Sequence, residues 1–231
     1  MSLGSISVSS ALEPMVFSRQ NRLVIKASVT LRELVVRDCQ AVHAFAGRPE
    51  ACRYQAWGPN TEEQTRAFVR SASDDRLRSP RTRFAYAVCL DDDLIGIGEL
   101  KVRSRVHRQG EISYLVHPRV WGRGVGTAIG GELLSRGFGQ LGLHRIYATC
   151  DPRNLGSSRV LGKLGMTHEG RHRHTALIRD GWRDSEVFSI LDEEWASGPA
   201  SGDREIRDRA SGSRPGTGTG RAAQGHPECD V

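Results

Sequence analysis

The chain reads as an α/β fold built on a mixed sheet, and three features carry that reading. Segments with a two-residue apolar period alternate with segments of helical period. Hairpin signals stand near both ends of the central region, and a glycine-rich turn joins a strand to a long helix. In order, Val29 to Val35 has strand character, and Asp38 offers an N-cap to a helix that keeps Ala41, Val42 and Phe45 on one face. Asn60 followed by Glu63 has the form of a capping box opening a second helix through Phe68 and Val69. Phe84 to Leu90 and Leu94 to Lys101, joined by Asp91-Asp92-Asp93, predict a hairpin, and Glu111 to Val116 predicts a fourth strand. The segment HPRVWGRGVG follows, after which Val125, Ile129, Leu133, Leu134, Phe138 and Leu141 recur at helical spacing. Arg145 to Cys150 predicts a fifth strand, Ser157 to Leu164 a short helix closed by Gly165, and Asp180-Gly181 the tip of a last hairpin.

Of the 231 residues, 38% are apolar, 26% charged and 6% aromatic, which suits one domain with length to spare. The surplus is expected at the ends. Residues 1–30 read as an N-terminal arm or extension, residues 31–195 as the domain, and residues 196–231 as a disordered Gly/Ser/Arg-rich tail that cannot bury a core. No run of about 18 uncharged apolar residues occurs and no basic-then-apolar leader opens the chain, so the expected setting is the cytoplasm, with no membrane. Five cysteines without a CxxC pair fit neither a disulfide framework nor a zinc site, and His168, His172 and His174 lack a standard ligand spacing; no metal is expected. The net charge of +6 rests on 33 basic residues of which only three are lysines, a guanidinium-rich balance suited to phosphate and carboxylate partners.

The stretch that carries chemistry is the turn Gly122-Arg123-Gly124-Val125-Gly126 between the fourth strand and the long helix. Glycines there let backbone N–H groups surround an anion, and the helix N-terminus adds partial positive charge, so a pyrophosphate would meet the amides of Arg123 through Thr127. A P-loop is excluded, because the segment lacks its lysine and its glycine spacing. A dinucleotide fingerprint counted from Gly122 would need glycine where Thr127 stands, although Asp151 ends the next strand where a ribose partner could sit.

With these residues in view, the chain resembles the GCN5-related N-acetyltransferase (GNAT) family, and within it the RimJ/RimL-like branch. The family signature Q/R-x-x-G-x-G/A corresponds to Trp121-Gly122-Arg123-Gly124-Val125-Gly126, with tryptophan at the first position as in that branch. The stretches LRELVVRDCQAVHAF, EISYLVHPRVWGRGVG, NLGSSRVLGKLGM and GWRDSEVFSILDEEW are similar too, and they come in the family's order. The resemblance implies a mixed, mostly antiparallel sheet of six or seven strands, flanked by helices and splayed between strands 4 and 5, with the pantetheine arm of acetyl-CoA in the split. Backbone groups of Leu115, Val116 and His117 would pair with the pantetheine amides. The turn holding Arg119, Gly122, Arg123, Gly124, Val125, Gly126 and Thr127 would hold the pyrophosphate, with Arg119 and Arg123 adding charge.

The activity implied is transfer of an acetyl group from acetyl-CoA to a primary amine by direct attack in a ternary complex. Such a reaction needs a neutral amine, an oxyanion site and a proton for the departing thiolate. An amide near Val116 serves the oxyanion. By resemblance, Asn154 binds pantetheine or orders a water and Ser157 donates the proton, while both residue types are also ordinary helix N-caps. The base is Glu111, Glu99 or water, either acid being equally readable as a strand-edge charge. Cys150 ends the fifth strand near the presumed thioester with no basic partner in sight, which speaks against covalent catalysis. Tyr54, Trp57 and Trp182 are candidate walls for the acceptor, with core packing as the competing explanation. The acceptor is a peptide N-terminus or a small-molecule amine, and a homodimer is compatible with this reading. The competing class is a non-catalytic module that binds acyl-CoA, or nucleic acid through Arg103, Arg105, His107, Arg108 and Arg171 to His174. Those basic residues lack interleaved aromatics, so nucleic acid is not expected.

Overall fold

The computed structural model describes residues 29–197; the predicted arm (residues 1–30) and tail (residues 196–231) lie almost wholly outside them. Seven strands form one sheet: β1 (Val29–Glu33), β2 (Arg83–Leu90), β3 (Asp93–Ser104), β4 (Gln109–Val116), β5 (Arg145–Cys150), β6 (Thr167–Ile178) and β7 (Gly181–Leu191). Their spatial order is β1-β2-β3-β4-β5-β7-β6, and the β4–β5 pair alone is parallel. That pair is the one joined by a long crossover, as a parallel pair must be. The crossover contains α4 (Val125–Gly139).

Strand alternation sorts the side chains onto two faces. Leu100, Ile112 and Val116 turn toward α4 and α5 (Leu155–Lys163), where they meet Ile129, Leu133, Leu134, Leu161 and Leu164, with Ile146, Phe188 and Ile190 from the far strands. On the opposite face, Ala85, Ala87, Ile97 and Leu115 meet Leu34, Val42, Phe45 and Val69 of the segment holding α1 (Cys39–Ala46), α2 (Pro49–Cys52) and α3 (Glu62–Asp74). Full burial of each such aliphatic side chain contributes on the order of 1.5–3 kcal/mol, so packing on both faces holds the sheet between helices. The second core covers only the β1–β4 half.

Local signals differ from expectation at three places. The Asp38 side chain caps nothing; its carboxylate accepts two bonds from Arg32 at 2.8 Å and one from the Val35 amide at 3.0 Å. Burial works against that charge, yet these bonds win and hold the carboxyl below its usual range. The capping box of α3 is formed by Thr61 and Gln64, one residue later than the Asn60–Glu63 pair, because Thr61 has the extended backbone a cap needs and Gln64 reaches back to its amide at 2.9 Å. Two short helices, α2 and α6 (Asp192–Ala196), are too brief to show a period and escaped the sequence reading.

Candidate active site

Strands β4 and β5 pair only at Gln109–Arg145, Gly110–Ile146 and Glu111–Tyr147. Beyond Glu111 they part, while β4 continues to follow β3 up to the Gly96–Val116 pair and β5 follows β7 to Cys150. The His117 amide donates to the Ile95 carbonyl at 2.7 Å. Because polar groups alternate sides along an antiparallel ladder, the amides of residues 113 and 115 also face β3, and those of Tyr114 and Val116 face the gap. The amides of Leu115 and His117 are thus committed to β3, and of the three residues expected to meet pantetheine Val116 is the one whose amide faces the gap. The Val116 carbonyl accepts from the Trp121 indole at 3.0 Å, so its amide is the group left pointing into the split.

Next to the split lies the glycine turn. Gly122 and Gly124 have φ of +74° and +81°, and a Cβ on either would meet nothing within 4 Å, so backbone conformation and not space calls for glycine. Gly124 is the N-cap of α4, and the first amide to bond back is that of Ala128, to the Gly124 carbonyl at 3.0 Å. The amides of Val125, Gly126 and Thr127 are thus free of helix bonds and stand at the positive end of a 15-residue helix. Gly126 is close-packed: a Cβ there would lie 3.2 Å from Val160 and 3.6 Å from the Tyr114 ring. At the rim Arg123 is exposed, and Arg119 reaches Asp93 at 3.0 Å.

Across the split, Asn154 caps α5, its side-chain oxygen accepting from the Ser157 amide at 3.1 Å. The cap fixes where Ser157 sits. Facing Ser157 is the Tyr114 hydroxyl, buried and without a hydrogen-bond partner among the described residues. Burial pushes its pKa up to about 12, with Ser157 pulling the other way. The buried Cys150 thiol is pushed up to about 11, again by desolvation, and is a poor nucleophile. A strand edge with unpaired amides, a cradle of free helix N–H groups and an orphaned hydroxyl between them are a donor set that fits the amides and phosphates of acetyl-CoA.

On the other face of the sheet, a pocket is lined by Gln55, Trp57, Phe68, Ile97, Glu99, Ser113, Tyr114 and Leu115. Trp57 stacks on Phe68 with centroids 6.3 Å apart. Glu99 lies in this pocket but is not a free base: one carboxylate oxygen accepts from Arg83 at 2.9 Å and the other meets Lys101 at 3.1 Å. Glu111 lies at the closed end of the strand pair, held by Arg103 at 2.7 Å, and does not line the pocket. Trp182 stands outside it too. It is 61% exposed beside the hairpin tip, pairs with Leu177 across the β6–β7 ladder and stacks on His174. Tyr54 contributes its carbonyl, which accepts from Arg183 at 2.7 Å, while Arg179 donates to the carbonyls of Cys52, at 2.8 Å, and Gly58. These two arginines of the last hairpin tie down the loop that carries Trp57. Nothing local in the sequence singles them out, whereas the isolated tyrosine in the alternation Ile112, Tyr114, Val116 was a readable sign of a hydroxyl among apolar side chains. Of the basic residues weighed for nucleic acid, three are ion-paired within the fold, Arg103 with Glu111, Arg108 with Asp192 and Arg171 with Glu186.

Comparison with known proteins decides the family. Residues 28–167 match the acetyltransferase (GNAT) domain model. The chain belongs to the GNAT acetyltransferase family. An uncharacterized N-acetyltransferase of Bacillus subtilis, YnaD, is 31% identical over 166 residues, covering 71% of this acetyltransferase and 94% of the relative. Spermidine N(1)-acetyltransferase of Escherichia coli is 28% identical over 170 residues, covering 73% and 88%. Among solved structures, a GNAT acetyltransferase from Bacillus anthracis superposes with a TM-score of 0.62 at 28% identity, covering 71% of this acetyltransferase and 95% of that chain. RimJ of Mycobacterium smegmatis, solved with CoA-disulfide, shares the fold with a TM-score of 0.64 at 24% identity, covering 74% and 90%.

Proposed function

We propose that this acetyltransferase moves the acetyl group of acetyl-CoA directly to a primary amine, with both substrates bound at once. The observation that carries the proposal is the parting of β4 from β5 after Glu111, with a cradle of free amides on one side of the sheet and the Trp57–Phe68 pocket on the other. The Val116 amide stabilises the oxyanion of the tetrahedral intermediate. Pyrophosphate lies against Val125, Gly126 and Thr127 with Arg123 at the rim, Asn154 orients the pantetheine side of the split, and Ser157 returns a proton to sulfur. Glu99 is the acid nearest the acceptor. Tied to Arg83 and Lys101, it orders water that takes the amine proton and does not take that proton itself. Glu111 holds the closed end of the strand pair.

The acceptor is a peptide N-terminus or a small amine. Similarity to a spermidine acetyltransferase supports the small amine, and the resemblance of the Trp121–Gly126 motif to the RimJ/RimL-like branch supports the peptide. Release of thiol from acetyl-CoA, measured over a panel of polyamines, aminoglycosides and N-terminal peptides, tests the proposal. Turnover with at least one class is expected; tight CoA binding without turnover on any would replace the enzyme with a binding module.

A further inference from the structure

The Tyr114 hydroxyl is one of three buried side-chain polar atoms without a partner among the described residues, and the only one of them on a side chain that makes no other hydrogen bond there, since Arg136 and Arg183 bond through their other nitrogens. Its ring lies 3.6 Å from the position of a Cβ on Gly126, at the first turn of α4, and its hydroxyl faces Ser157 at the first turn of α5. It therefore stands between the two helix N-termini, on the residue whose amide opens into the split. A buried hydroxyl without a partner is destabilising, and proteins keep such groups where a ligand or a reaction uses them. Tyrosine is not needed there for packing alone, since phenylalanine has the same ring.

We propose that Tyr114 is a positioning residue for proton delivery, its hydroxyl, unpaired in the ligand-free protein, donating to the Ser157 oxygen when acetyl-CoA is bound while the Ser157 hydroxyl donates to the thioester sulfur. This inference rests on Ser157 acting as the acid in the proposed reaction. As the amine nitrogen bonds to the carbonyl carbon and the carbon–sulfur bond breaks, its electron pair stays on sulfur. Sulfur takes the Ser157 proton, Ser157 takes the Tyr114 proton, and the amine nitrogen loses its surplus proton to water. As the thiol departs, Ser157 passes its proton back to the buried Tyr114 and takes one from water, so the sum is amine plus thioester giving amide plus thiol. The relay places the transient charge on a phenolate instead of a serine alkoxide, which is far more basic.

The test is the cycle of Tyr114→Phe, Ser157→Ala and the double variant, each read by steady-state kinetics and by thermal unfolding without ligand. The proposal expects Tyr114→Phe to lower kcat by about 10-fold or more, a share of the ~10²–10⁴ that positioned proton transfer contributes, with KM for acetyl-CoA within about twofold. It expects the double variant to match Ser157→Ala, and the ligand-free Tm of Tyr114→Phe to equal or exceed that of the parent, because only an unpaired hydroxyl is removed. Wild-type kcat in Tyr114→Phe overturns the proposal and leaves Ser157 intact as the acid. Additive losses in the double variant, or a fall in Tm that accompanies the loss of kcat, overturn it as well. If Ser157→Ala is unchanged, both the serine acid and the relay behind it are gone.

Discussion

Replacing Gly124 with alanine isolates what the glycine turn does. At φ +81° an alanine meets no atom within 4 Å, so the cost is purely that of the left-handed backbone, about 1–2 kcal/mol. That cost has two places to fall. If the turn keeps its shape, the ligand-free protein loses about 1–2 kcal/mol of stability and CoA affinity is unchanged. If the turn relaxes, stability is kept and the same energy is spent on binding, a loss of roughly 5- to 30-fold in Kd at 1.4 kcal/mol per tenfold. The sum of the two losses is therefore expected near 1–2 kcal/mol, however it divides. Denaturant unfolding of the ligand-free protein and calorimetric titration with CoA measure the two parts. A Gly124→Ala protein with parental stability and parental Kd would refute the claim that this turn must hold its left-handed form to receive phosphate.

Further outcomes follow from the same geometry. Gly162→Ala lies in α5 with ordinary helical φ and nothing within 4 Å, so it is expected to stabilise by about 0.5–1 kcal/mol, read by denaturant melts; destabilisation would contradict the open space seen there. Trp57→Ala is expected to raise KM for the acceptor by about tenfold or more while KM for acetyl-CoA stays within twofold, through loss of a stacked aromatic wall. Equal changes in both would place Trp57 outside the acceptor side. Cys150→Ala is expected to keep its kcat, since a thiol near pKa 11 supplies no thiolate at neutral pH. Burial favours the protonated thiol in the folded state, so its contribution is complete below the ordinary thiol value and is lost as pH rises through about 11. Unfolding measured from pH 8 upward is expected to show a shallower alkaline loss in Cys150→Ala than in the parent.

Much of this was legible along the chain. The strand Arg145–Cys150 coincides with its expected position and the last hairpin turns at Arg179-Asp180, one residue before the expected Asp180-Gly181, because period and turn chemistry are local properties. The glycine turn was equally readable, since positive φ limits the residue type directly. Asn154 and Ser157 read as cap and site together, and the bond between them shows how the cap sets the serine in place. The acids were not readable in this way. Glu99 and Glu111 look alike as strand carboxylates, and only the partners brought by β2 and β3, namely Arg83, Lys101 and Arg103, separate a pocket acid from a structural ion pair. Likewise Trp57 and Trp182 look alike until the fold stacks one on Phe68 in the pocket and leaves the other exposed against His174 on the β6–β7 hairpin.

The sequence by itself therefore determined the order of the strands and the longer helices, the glycine turn and the family, all of which rest on spacing within a few residues. Tertiary structure alone decided which amides face the split, which carboxylates are ion-paired, and that Tyr114 ends in a buried hydroxyl with no partner among the described residues. Ladder register and ion pairing join residues far apart in the chain, and no local pattern records them.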